Sequence, residues 1–127
     1  MNSHLVYKRY SEAISDELKA MLDNKSDTLH SMMRYQMGFG DDNDIKNING
    51  MDISSYHLTS TMCLLTCELL AGNYKAGISA AVALEFVHQF MTTHNHVWSD
   101  RKLEKCEKSV NKQWGFGQAI NVGDGFY

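Results

Sequence analysis

Apolar residues return along this chain at three- and four-residue steps, the spacing of helices rather than strands. Tyr7, Tyr10, Ile14, Leu18 and Met21 form the first series, with Lys8, Arg9, Glu12, Asp16, Glu17 and Lys19 in the gaps. That pattern predicts an amphipathic helix ending near Asp23-Asn24. Ser26 is the expected cap of a second helix, with Asp27 in its first turn, where a negative charge complements the helix dipole. Leu29, Met32, Met33 and Met37 supply its apolar side, and Gly38 and Gly40 end it. Residues 41–52, DDNDIKNINGMD, are the most polar stretch and contain an Asn-Gly turn signal. They lack the spacing of a calcium loop and its bidentate Glu, so they read as a solvated connection.

A third helix is expected to begin within 52–55, with Leu58, Met62, Leu65 and Leu69 as one stripe and Cys63, Cys67 and Leu70 beside it. So wide an apolar face predicts a helix enclosed on most sides. Gly72 is placed to cap its C-terminus and Asn73 to start the next element. A fourth helix over 74–97 opens on ISAAVALEF and carries Ile78, Val82, Phe86 and Phe90 on one face. Beyond the hydrophilic RKLEKCEK, Ser109 caps a last helix in which Val110, Trp114, Gly117 and Asn121 share a side. Gly115, Gly117, Gly123 and Gly125 each cost roughly 1 kcal/mol of helix propensity there. That segment needs close packing to hold. The pattern as a whole is all-α: one helical domain over 1–127, with five helices.

Composition narrows the function classes. The 127 residues are 43% hydrophobic and 21% charged, enough for one soluble core and unlike a disordered chain. Proline is absent, which suits helices. A net charge of −3 without a Lys/Arg block argues against a nucleic-acid partner. No apolar run approaches the roughly 18 residues of a membrane span, and the N-terminus lacks a signal peptide's apolar centre, so a cytoplasmic location is expected. Cys63, Cys67 and Cys106 are an odd set without a CxxC pair, which points to reduced thiols.

The chemistry-bearing stretch is 85–100, EFVHQFMTTHNHVWSD, where Glu85 is followed by His88 and then His94. This spacing resembles the fourth helix of the trans-isoprenyl diphosphate synthases as it nears their first aspartate-rich motif. Other pieces follow in the family's order. MRYQMGFG (33–40) is similar to its M-R-Y-x-x-x-x-G, CELLAG (67–72) to C-E-x-x-G-G, and AAVALEFVH (80–88) to A-x-A-x-E-x-I-H. KQWGFGQAINVGD (112–124) is similar to K-x-F-G-x-x-x-A-x-x-x-G-D. The resemblance implies the N-terminal part of the isoprenoid synthase fold. It also implies truncation, because Tyr127 precedes the point where the family places its second aspartate-rich motif.

The departures from the family are equally consistent. Where it has G-G-K-R-x-R-P, whose basic residues clamp a diphosphate, this chain has SSYHLTS (54–60). Tyr56 and His57 stand at the Lys-Arg positions and Thr59 at the second Arg. Asn95, His96 and Ser99 occupy the three aspartate positions of D-D-x-x-D. Ionising an allylic diphosphate requires divalent ions and basic side chains around the leaving group. Magnesium takes hard oxygen ligands, usually carboxylates. The expectation is therefore no magnesium cofactor and no prenyl transfer. A transition-metal reading of His94, His96 and Asp100 is a weaker alternative. His96 and Asp100 share a helical face but His94 does not.

These readings imply a catalytically inactive relative of the family, acting as an interaction or regulatory subunit. Its expected partners are further copies of itself, with the last helix at the contact, or a full-length prenyl diphosphate synthase. CLLTC (63–67) matches a C-x-x-x-C pattern of small subunits in heteromeric synthases. One alternative is a binder of an isoprenoid or other apolar ligand in a pocket lined by Phe86, Phe90, Met91 and Trp98. Another is a residual or split prenyltransferase.

Overall fold

A computed structural model describes residues 3–39, 57–98 and 109–127 of the chain. Six α-helices occupy them: α1 (Ser3–Asp23), α2 (Thr28–Gln36), α3 (Leu58–Ala71), α4 (Ile78–Trp98), α5 (Val110–Trp114) and α6 (Phe116–Gly125). A 3-10 turn, Tyr74–Gly77, leads into α4. The protein is all-α over the described residues. None of its helices there is long and apolar enough to cross a membrane. The polar stretch 41–52 lies outside the described residues, as do Tyr56, Ser99, Asp100 and Cys106. Two compact units are formed, one from Met1–Met21 with Asp52–Glu85, the other from Leu22–Met51 with Phe86–Tyr127.

In the first unit, Tyr10, Ile14 and Leu18 are fully buried along α1. The four-residue step continues to Leu22, which is buried, so Met21 is left exposed. Beside this stripe, the Tyr10 hydroxyl and the Arg9 guanidinium both donate to Glu68 of α3. Arg9 also lies 5.2 Å from the Tyr74 ring, which meets Tyr10 edge-on at 5.3 Å. Gly72 ends α3 in the left-handed region (φ 71°), with its N–H donating to the Glu68 carbonyl. Asn73 then accepts from the Lys75 N–H and opens the 3-10 turn, as its position predicts. Gly77 closes that turn where a Cβ would lie 3.0 Å from the Cys67 Cβ.

The enclosed α3 that the sequence predicts is not what the structure contains. Its leucine stripe faces water: Leu58 is 62% exposed, Met62 52% and Leu69 77%. The buried side is His57, Ser60, Thr61 and Leu64. Glu85 explains the inversion. This carboxylate is 1% exposed and accepts a hydrogen bond from Ser60 Oγ at 2.9 Å. Turning the stripe inward would wet the buried Leu64 and take the hydroxyl donor from this buried carboxylate. Because α3 is apolar on nearly every side, hydrophobicity alone gave it no preferred rotation, and the polar anchor decided.

In the second unit, α2 is capped by Asp27 rather than Ser26. The Asp27 carboxylate accepts from the His30 backbone N–H at 2.9 Å and from the His30 ring, which holds its pKa below the usual carboxylate range. A charged acceptor at the cap outcompetes a neutral hydroxyl one residue earlier. Arg34 donates to the carbonyls of Leu22 (2.8 Å) and Lys25 (3.0 Å), satisfying oxygens that the end of α1 leaves free. The last segment is two helices, not one. Gly115 adopts φ +86° and breaks it, its N–H donating to the Asn111 carbonyl. The side shared by Val110, Trp114, Gly117 and Asn121 therefore does not persist; Val110 is buried and the other three are exposed. Instead α6 buries Ala119, Val122 and Gly123, with Phe126 just beyond.

Candidate functional site

The densest buried polar chemistry lies in the first unit. Glu85 of α4 accepts from Ser60, and His57 Nδ1 stands 3.2 Å from the same carboxylate oxygen. His57 Nε2 in turn lies 3.2 Å from Ser15 Oγ of α1. His57 is 2% exposed, so water does not compete for these contacts. The Nδ1 contact is close but poorly aligned as a hydrogen bond, and Thr61 Oγ1, also buried, has no hydrogen-bond partner among the described residues. Hydroxyl, imidazole and carboxylate stand in the order of a catalytic triad. Ser15, however, sits inside α1, where backbone N–H groups are spent on the helix and no oxyanion cradle is offered. The cluster is an anchor that ties α1, α3 and the start of α4 together.

The second polar group is the C-terminal end of α4. His94 Nδ1 lies 2.9 Å from the Phe90 carbonyl and Nε2 3.2 Å from Asp124 Oδ1. Its ring rests where a Cβ on Gly123 would come within 2.3 Å, so only glycine allows the approach. Asn95 is exposed and His96 half-buried, and burial pushes the His96 pKa below the ordinary value of 6.5. Amide and imidazole donors do not suit magnesium, which takes hard oxygens, usually carboxylates. His94 and His96 stand two residues apart on a regular helix and so project to different sides. Among the described residues no group of three or more His, Cys, Asp or Glu gathers as for a metal ion.

The remaining predicted site residues are dispersed. Of the clamp positions, His57 is turned into the buried cluster and Thr59 is exposed on α3. Phe86 and Phe90 are half-buried, with ring centres 5.9 Å from Phe126 and 5.7 Å from Tyr127 respectively. Met91 and Trp98 are exposed. An open groove lies elsewhere in the second unit, lined by Thr28, Leu29, Met32, Gln118, Asn121, Asp124 and Gly125. Sequence reasoning missed Ser15, Ser60 and Asp124. The G-D pair at 123–124 was visible as a motif, but nothing local pointed Ser15 at a histidine 42 residues away.

Comparison with known proteins gives relatives of one kind. A geranylgeranyl pyrophosphate synthase of Geoglobus acetivorans is 33% identical over 70 residues, 55% of this chain and 22% of that protein. A geranylgeranyl diphosphate synthase of Methanosarcina mazei is 29% identical over 77 residues, 61% of this chain and 24% of its own length. The heterodimeric geranylgeranyl pyrophosphate synthase small subunit of Arabidopsis thaliana chloroplasts is 32% identical over 68 residues, 52% of this chain and 21% of that protein. The chain thus spans about a quarter or less of the length of these relatives. No family model matches it, and no solved structure does.

Proposed function

We propose that this chain, a relative of the trans-isoprenyl diphosphate synthases, acts as a non-catalytic subunit that associates with a prenyl diphosphate synthase. The observation that carries the reading is the state of His57. It stands where the family's clamp would present a cation to a diphosphate, yet it is 2% exposed and faces Ser15 and Glu85. A phosphate group has no route to it without dismantling the cluster. The end of α4 supports the same reading, since His94 is engaged with Phe90 and Asp124 and its neighbours are Asn95 and His96. Likeness to a protein named as a heterodimeric small subunit makes association the natural role for such a chain.

The test has two arms. Purified alone with magnesium, isopentenyl diphosphate and an allylic diphosphate, the chain gives no condensation product. Co-expressed with a prenyl diphosphate synthase from its own source, it co-purifies at a fixed ratio and changes that enzyme's rate or product length. Turnover above a no-protein control, surviving repurification, would refute the non-catalytic half. A synthase that never retains the chain and is indifferent to it would refute the subunit half.

A further inference from the structure

We draw no further inference here: the strongest candidate, the open groove between α2 and α6 with Leu29 and Met32 on one side and Gln118, Asn121 and Asp124 on the other, carries nothing, because its one charged side chain, Asp124, is already engaged with His94 and nothing in the structure shows what covers it.

Discussion

The two most unlike helices in the molecule are α3 and α6, and each behaves against its composition. α3, LTSTMCLLTCELLA, is rich in leucine yet turns most of it to water. α6, FGQAINVGDG, carries three glycines yet buries a continuous side on α4 and α2. Neither outcome follows from summed hydrophobicity. In α3 one buried carboxylate needs a hydroxyl donor, and that need sets the rotation of the whole helix. In α6 the absence of a side chain at Gly123 lets an imidazole approach the backbone, and two oxygen contacts hold it there. A single specific contact orients each helix, and the apolar residues follow.

If that is right, the largest effect should come from removing the anchor of α3. Ser60→Ala leaves the Glu85 carboxylate buried without its hydroxyl, and unfolding in urea should show a loss of about 1–3 kcal/mol. Ser60→Ala combined with Glu85→Leu should recover part of that loss, because the buried carboxylate is removed along with its hydroxyl donor, while His57 Nδ1 loses its neighbour. A Ser60→Ala protein as stable as the wild type would mean that something other than Glu85 sets the rotation.

The matching change in α6 should cost less. Gly123→Ala places a methyl group 2.3 Å from His94 Cε1 and 2.5 Å from Nδ1. The ring has to leave, and with it the contacts to Phe90 and Asp124. Overpacking of this kind costs about 1–3 kcal/mol, offset by roughly 1 kcal/mol of improved helix propensity. A net loss of about 1–2 kcal/mol is therefore expected. A His94→Ala background should turn the same change from destabilising to neutral or favourable. Additive losses in the double variant would show that the two residues do not share the contact.

Local chemistry was well expressed in the sequence. The helical spacing, the Gly72 cap and the Asn73 start rest on rules acting over a few residues, and they were readable. Between adjacent cap candidates, Ser26 and Asp27, the choice depended on where the His30 ring came to rest, so it was not. Four glycines in the last segment looked equivalent, and only the fold distinguishes Gly115, which breaks the helix, from Gly123, which admits a ring. The candidate site was legible as positions and not as contacts. His57 was identifiable from its place in a motif, but its burial depends on Ser15 and Glu85, which are distant in sequence. The orientation of α3 depends on a hydrogen bond spanning 25 residues, which periodicity within a helix does not register.

The smallest effect is a dependence on pH that sets two groups of the second unit apart. Half-burial lowers the His96 pKa below its ordinary 6.5, because the neutral ring loses less on leaving water than the charged one. As pH falls, the unfolded chain takes up this proton first. The contribution of His96 is therefore complete above the unfolded value and declines below it, until the folded form protonates as well. Asp27 acts lower on the scale. Its folded pKa is depressed by the His30 backbone N–H, so its contribution is present above the ordinary carboxylate pKa and lost as pH falls through the folded value. Urea midpoints measured from pH 8 down to 3 should fall in two separable steps. His96→Gln should flatten the upper step and leave the lower one, while Asp27→Asn, which still caps α2, should do the reverse. An upper step unchanged in His96→Gln would place the titrating group elsewhere and leave the half-buried imidazole energetically silent.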